Sequence, residues 1–361
     1  MLLKLLERLD RKRFSAQVIS LTTLGEIGPR ISALGIPVEA IGMMPGLPSP
    51  MAFFRLVREI KRVKPDVVHT WLYHADLLGG LAARLAGVSA IGWCIRNSNL
   101  DKDKTRLATR IVVRLCASLS SWVPTKILSC SEEARRIHVA LGYAAEKMQV
   151  VPNGFDLTRF KPDDAARSAV RAELGIADST PLVGLIGRFD PQKNHAGFFA
   201  AAGVLYRQMP HVHFVLAGRS IEQNNATLMQ AINKAGVLAN THLLGLRDDV
   251  PRLMAALDVL TSSSYGEAFP NVLGEAMACG VPCAVTDVGD SAYIVGDTGR
   301  VVASGDMTGL AAALENLLAL PPDEKASLGE LARARVAAHF EINGVVRQYE
   351  DFYEALSAHA L

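Results

Sequence analysis

Short apolar runs rich in valine, isoleucine and leucine alternate along the whole chain with longer stretches whose apolar residues recur every three or four positions. The first pattern reads as buried strands and the second as helices with one apolar face, and their regular alternation calls for parallel sheets covered by helices. It predicts strands at Gln17–Leu21, Val38–Ile41, Asp66–Thr70, Ala90–Cys94, Lys126–Ser129 and Met148–Val151. Helices are predicted near Gly28–Leu34, Ser49–Val63, Ala75–Ala86, Lys104–Ser121 and Ser131–Leu141, the last opened by Ser131 as N-cap with Glu132 and Glu133 in its first turn.

The turn-rich segment Val151–Pro162 ends this series. A second series opens at Pro181, with strands predicted near Leu182–Ile186, His213–Ala217, His242–Leu244, Val259–Thr261 and Cys283–Val285 and helices between them, so a second doubly wound unit is expected. The 361 residues are too many for one core and suit two, which fits a boundary in this segment.

Composition adds little until it is divided by position. The net charge is only +2, yet residues 1–155 hold 22 Lys and Arg against 12 Asp and Glu, while the remainder holds 16 against 24. A first part so basic suggests an anionic partner, for which a membrane surface and nucleic acid are both candidates. No nucleic-acid-reading motif with interleaved aromatics is present, so nucleic acid is not the expected partner. Cys94, Cys116, Cys130, Cys279 and Cys283 form no C-x-x-C pair and are expected to be reduced and mostly buried. The opening MLLKLLERLDRKRF interrupts its leucines with charges, unlike a signal peptide, and no run reaches the ~18 apolar residues of a membrane span. The expected location is therefore the cytoplasm, with the inner face of the membrane as a peripheral site.

The densest chemistry lies in Tyr265-Gly-Glu-Ala-Phe-Pro-Asn-Val-Leu-Gly-Glu-Ala-Met-Ala-Cys-Gly280. Pro270 suits the first position of a helix that stops at Gly280, and the backbone N–H groups of Asn271, Val272 and Leu273 would then point out of its N-terminus, where the helix dipole favours a phosphate. Glu267 and Glu275 would flank that phosphate. Acids belong beside an anion only if they bind hydroxyls, and a nucleotide sugar offers a ribose on one side of its diphosphate and a hexose on the other. Glutamate is also common at helix starts, so the E-x7-E spacing alone carries little.

A second turn, Gly184-Leu-Ile-Gly-Arg-Phe-Asp-Pro-Gln-Lys-Asn194, follows the first strand of the second series. Its glycines, including Gly187, permit close backbone approach; Arg188 can fork onto phosphate oxygens, and Lys193 adds a point charge. Either residue alone reads equally well as a surface charge. Together with the glutamate helix they lie at carboxyl ends of strands in one sheet, where such folds bind ligands.

G-R-x-x-x-x-K followed by E-x-F-P-N-V-x-x-E-A-M-A-x-G resembles the donor site of the retaining glycosyltransferases of family 4, and VVHT at Val67–Thr70, VPNGFDLTRF at Val151–Phe160 and GLRDDVP at Gly245–Pro251 extend the likeness over nearly the whole chain. The resemblance implies an α/β GT-B fold, two doubly wound Rossmann-like parallel-sheet domains facing a cleft. It divides the chain into an acceptor-side domain at 1–155, a nucleotide-sugar-binding domain at 156–338 and a C-terminal helix at 339–361 that returns to the first domain. By that likeness Arg188 and Lys193 neutralise the diphosphate, Glu267 holds donor-sugar hydroxyls and Glu275 the ribose. The backbone near Leu246 and Arg247 contacts the base, and Gly187, Phe269, Asn271, Val272 and Leu273 complete the donor site. Arg96 stands where several members place a histidine, and its role is left open. His74 is an alternative cleft residue that reads as well as a helix cap. His211 and His213 alternate on a strand without completing a metal site.

The implied reaction is transfer of a hexose from a UDP- or GDP-linked donor to a carbohydrate or lipid-linked acceptor in polysaccharide or glycolipid synthesis. It is expected to retain anomeric configuration and to need neither a metal nor another cofactor, the cations and helix end cradling the leaving phosphate. The sequence names neither sugar nor acceptor. A sugar-nucleotide epimerase, a phosphorylase and a non-catalytic anionic-surface binding protein remain as rival readings. Related sequences begin with a strand and a Gly-Gly loop before a helix like Met1–Asp10; here the helix comes first, so a missing first strand is an expectation too.

Overall fold

The computed structural model describes residues 1–44, 49–98, 100 and 106–358; Lys104 and Thr105, at the start of one predicted helix, lie outside the described residues. The chain divides into two compact units: Met1–Gly154 with Ile342–Leu361, and Phe155–Glu341.

In the first unit the elements run α1 (Leu2–Arg8), β1 (Val18–Ser20), α2 (Gly28–Ser32), β2 (Val38–Ala40), α3 (Pro50–Val63) and β3 (Val68–His69). They continue with α4 (Tyr73–Ala86), β4 (Ile91–Ile95), α5 (Leu107–Leu119), β5 (Lys126–Ser129), α6 (Glu132–Ala140) and β6 (Met148–Val150). The strands form two parallel sheets, one of β1 and β2 and one ordered β3-β4-β5-β6. Ser131 caps α6 by accepting from the Ala134 N–H at 3.0 Å, and Ser49 caps α3 in the same way.

The second unit holds α7 (Asp164–Glu173), β7 (Leu182–Ile186), α8 (His195–Gln208), β8 (His213–Ala217), α9 (Ala226–Ala235), β9 (Thr241–Leu243) and α10 (Val250–Ala255). It goes on through β10 (Val259–Ser262), α11 (Asn271–Ala278), β11 (Cys283–Thr286), α12 (Ser291–Val295), β12 (Arg300–Val302), α13 (Met307–Leu318) and α14 (Pro322–Phe340). The last helix, α15 (Ile342–Ala358), belongs to the first unit. All five residues of β7 are buried, as are the last four of β8 and all of β10 and β11, which is why these strands read as unbroken apolar runs. Strand β12, which the sequence pattern did not single out, is a short edge strand with no buried residue.

The order of this sheet is β12-β11-β10-β7-β8-β9, every pair parallel. The chain winds outward from β7 through β8 and β9, then crosses back to β10 and winds the other way. Connections therefore diverge between β7 and β10, and a crevice opens outside the carboxyl ends of those two strands. A large apolar core built on Phe198, Phe199, Phe214 and the inner faces of α8 and α13 holds the sheet rigid beneath it. On the other face Arg171 is fully buried; it donates to the Ala256, Ala177, Asp178 and Thr180 carbonyls and to Asp258 at 2.7 Å. Asp258 also takes Arg167 at 2.7 Å. A buried charge is tolerable here because its donors are matched by acceptors, and losing one partner of such a pair typically costs about 3–5 kcal/mol.

The first unit closes around α15. Tyr349, Phe352 and Leu356 are buried against Leu5, Leu9, Cys94 and Leu128, and a methyl group on Gly92 would lie 2.7 Å from the Phe352 ring. All five cysteines are unbridged and buried. Among the described residues no helix is long and apolar enough to cross a membrane.

Candidate donor-side site

Two loops flank the crevice outside β7 and β10. The first, 187–194, is fixed by its own backbone: Gly187 N–H donates to the Ala217 carbonyl at 2.8 Å and Phe189 N–H to the Arg219 carbonyl at 2.9 Å. Gly218, at φ +149°, makes this possible, since a Cβ there would lie 2.1 Å from the Gly187 oxygen. Asp190 then accepts from Gln192 N–H at 2.9 Å to start a single 3-10 turn, and Asn194, in the left-handed region at φ 51°, accepts from Gly197 N–H at 3.0 Å to cap α8. Lys193 sits between these two caps.

The second loop, 263–270, leads into α11. Pro270 occupies the N-cap position, one residue earlier than the sequence pattern placed the proline, so the helix begins with Asn271; proline contributes no capping side chain. Gly289, at φ +56°, backs this loop, because a Cβ there would lie 2.3 Å from the Glu267 carbonyl oxygen.

From these two loops Lys193 Nζ and Glu267 Oε1 come within 2.6 Å, joining residues 74 positions apart; their side chains are 21% and 13% exposed. Ser264 Oγ donates to the same Glu267 oxygen at 2.8 Å. Arg188 is much more open, 64% exposed, and pairs with Asp190 at 3.0 Å, which together with the Gln192 N–H holds the Asp190 carboxyl below the usual range against its partial burial. Glu275 is half-buried one turn into α11 and Asn271 is exposed.

Other sequence candidates fall differently. Leu273 is fully buried and Phe269 nearly so, its ring stacked on Phe155 at 6.2 Å and edge-on to Phe340 at 5.7 Å, so its side chain packs the core. Leu246 is 73% exposed. The Arg247 guanidinium is committed to Asp249 at 2.7 Å and Glu173 at 2.5 Å, which raise its pKa and leave only its backbone to face a ligand.

In the first unit Arg96 lies over the Trp71 ring at 5.2 Å and donates to Tyr349 Oη at 3.3 Å and to Asn153 Oδ1. Its hydrogen bonds thus tie β4 to α15 and to the end of the first unit. His74 is exposed, the second residue of α4. His213 meets His242 on the neighbouring strand, ring nitrogens 2.9 Å apart, and not His211. Among the described residues no group of three His, Cys, Asp or Glu side chains is placed to hold a metal ion.

The sequence reading missed the hydroxyls. Ser262, Ser263, Ser264 and Thr286 are all buried around Glu267 and Lys193. A run of three serines directly after a buried strand was the available signal.

Residues 1–159 match the family described as Glycosyltransferase Family 4, and residues 180–320 match the family described as Glycosyl transferases group 1. Among curated relatives, a UDP-Gal:alpha-D-GlcNAc-diphosphoundecaprenol alpha-1,3-galactosyltransferase of Escherichia coli is 28% identical over 243 residues, 66% of this chain and 62% of that protein. A D-inositol 3-phosphate glycosyltransferase of Nocardia farcinica is 33% identical over 202 residues, 53% of this chain and 44% of that protein. The chain thus spans less than two thirds of the length of these relatives. Among solved structures, HepE of Anabaena in complex with UDP and glucose has a TM-score of 0.84 at 22% identity, over 98% of this chain and 95% of its own. The same protein with UDP-glucose gives 0.83 at 23%, over 99% and 95%. Identities this low carry the fold alone. With family matches on both units and the GT-B fold, the chain belongs to glycosyltransferase family 4, the glycosyl transferases group 1.

Proposed function

We propose that this chain moves a hexosyl group from a nucleoside-diphosphate sugar to an acceptor hydroxyl in polysaccharide or glycolipid synthesis, with retention of configuration and without a metal ion. The observation that carries this reading is the Lys193–Glu267 pair, 2.6 Å apart, at the point where connections diverge from the sheet. A cation and a hydroxyl-binding acid side by side suit the junction of diphosphate and sugar. Lys193 and Arg188 neutralise the diphosphate together with the first-turn N–H groups of Asn271 and Val272; the Leu273 N–H, expected from the sequence to join them, instead donates to the Pro270 carbonyl at 3.2 Å. Glu267 accepts from sugar hydroxyls and Glu275 from the ribose, while the backbone at Gly187, Leu246 and Arg247 borders the base. In the first unit, Arg96 and His74 are the proposed acceptor-side residues.

In the reaction the bond from the sugar C1 to the β-phosphate oxygen breaks, its electron pair leaving with the diphosphate, while the acceptor oxygen bonds to C1 and its proton passes to the departing phosphate. The charge that develops on the phosphate is what Lys193, Arg188 and the helix end are aimed at. The UDP named with HepE and UDP-Gal in the Escherichia coli relative favour a uridine donor.

The test is donor turnover over a panel of UDP- and GDP-linked hexoses, with and without carbohydrate and lipid-diphosphate acceptors. Acceptor-dependent release of the nucleoside diphosphate is expected. Isomerised donor without acceptor would instead make the chain an epimerase, and no turnover of any donor would leave only a binding role. EDTA is expected to leave the rate unchanged; a strict requirement for Mn²⁺ or Mg²⁺ would overturn the metal-free mechanism.

A peripheral seat on an anionic membrane through the first unit completes the proposal. Leu107, Ile111 and Leu115 are 68%, 49% and 46% exposed, a ridge along α5 beside Arg106, Arg110 and Arg114. Apolar and basic ridges side by side suit a lipid headgroup boundary. On α3, Met51 and Phe54 are exposed, whereas Leu56, Val57 and Ile60 are buried in the core. Vesicles containing phosphatidylserine should bind the protein and release it as salt rises, with about 1 kcal/mol lost per basic residue replaced. Equal binding to neutral and anionic vesicles, or none to either, would sink this seat.

A further inference from the structure

Serine side chains at the end of β10 divide between the two loops of the crevice. Ser263 is fully buried, and its hydroxyl lies 3.0 Å from both the Lys193 and the Asn194 carbonyl oxygens. Ser264, 1% exposed, turns the other way and donates to Glu267 Oε1 at 2.8 Å. Behind them Ser262 Oγ is 3.2 Å from Ser264 Oγ, and the buried Thr286 on β11 donates to the Ser264 carbonyl at 2.7 Å. Tyr265 N–H donates to the Gln192 carbonyl at 2.7 Å, so the backbone of one loop is also tied to the other. These groups are out of water, where a hydroxyl is retained at a cost unless it is hydrogen-bonded.

We propose that Ser263 and Ser264 are positioning residues that brace the two members of the Lys193–Glu267 pair, one through the backbone of Lys193 and the other through the carboxylate of Glu267. The inference rests on the reading of that pair as the donor site. When a diphosphate draws Lys193 away from Glu267, the acid loses the lysine donor on Oε1. Ser264 then keeps the carboxylate aimed, and Ser263 keeps the lysine on a fixed hinge. A lysine and a glutamate on unbraced loops would instead keep to each other, and the donor would have to pay for reorganising both.

The experiment uses the donor that the wild-type protein turns over fastest in the panel above. Ser264→Ala is expected to lower kcat about tenfold with the donor KM within about threefold, as loss of a hydrogen bond to a charged group implies. Ser263→Ala is expected to raise the donor KM about tenfold. In a Glu267→Gln background Ser264→Ala should cost less than about twofold more, because the group it positions is already altered. A crystal structure of Ser264→Ala should show the Glu267 carboxylate turned away from its present place, a readout that needs no turnover. Wild-type kinetics in both serine variants while Glu267→Gln is slow, or a full tenfold loss in both backgrounds, would overturn the brace alone. Wild-type rates in Glu267→Gln would overturn the site reading and the brace with it.

Discussion

Replacing Lys193 by alanine or Glu267 by glutamine should slow sugar transfer at least about tenfold, or about 1.4 kcal/mol of transition-state stabilisation, with the melting temperature nearly unchanged. The two halves of this expectation have different origins. Both side chains keep partial access to water, so the charge left behind by either change can be solvated or, for Glu267, held by Ser264. On the proposed reading, their worth lies in what they do for a bound diphosphate and sugar, where charge develops as the donor bond breaks. Lys193→Ala removes the cation while leaving Glu267 its bond from Ser264, and Glu267→Gln keeps the shape while removing the acceptor charge. Rates of nucleoside-diphosphate release, measured beside thermal melts of the same samples, check both halves, and wild-type rates in both variants would discard the assignment.

Asp76→Asn should stabilise the first unit by several kcal/mol at pH 8.5 and by almost nothing near pH 4. Asp76 is fully buried in α4, and burial pushes its carboxyl up to about 8; one oxygen accepts from Thr70 Oγ1 at 2.6 Å and Cys94 N–H at 3.3 Å, while Oδ2 has no partner among the described residues. The groups around it, Tyr73, Cys94, Cys116 and Tyr143, are themselves pushed up by burial, so none supplies a countercharge. A carboxyl whose folded pKa is raised binds its proton more tightly when folded. Its stabilisation is complete below the unfolded value near 4 and is lost as pH rises towards 8. Asparagine keeps the acceptor oxygen and has no proton to lose. Half-buried His69 and buried His138 and His195 act in the opposite sense: desolvation lowers them to about 3, 4 and 4, so their share of stability is lost as pH falls below about 6.5. The difference between wild type and Asp76→Asn isolates the carboxylate, and melting curves of the two that run parallel from pH 5 to 8.5 would refute its burial as a neutral acid.

Much of the fold was legible because its central strands are buried and apolar. Leu182–Ile186 is such a run, Lys126–Ser129 carries Ile127 and Leu128 between polar ends, and the structure places strands at those very residues. The edge strand Arg300–Val302 was not singled out, being three residues long with only Val301 and Val302 as an apolar signal. For the candidate site, residue types could be read and partners could not. Glycine, proline, lysine and glutamate announce turns and charges locally, but the Lys193–Glu267 contact spans 74 positions and the Arg96–Tyr349 contact 253. Phe269 was assigned to the donor site by resemblance, and its ring lies against Phe155 and Phe340. An aromatic beside a binding motif looks the same whether it faces a sugar or the core.

The division of the chain between its units sets the order in which it can fold during synthesis. Residues 155–341 are continuous and can fold as a set once they have left the ribosome, whereas the first unit needs Tyr349, Phe352 and Leu356, which are made only after all of residues 155–341. At translation rates of about 5–20 residues per second, Leu5, Leu9 and Cys94 wait ten seconds or more, on the order of the time for the intervening chain to be made, with their apolar cover missing. The unit that is begun first is therefore completed after the one inserted into it, and removing α15 should harm the first unit while sparing the second.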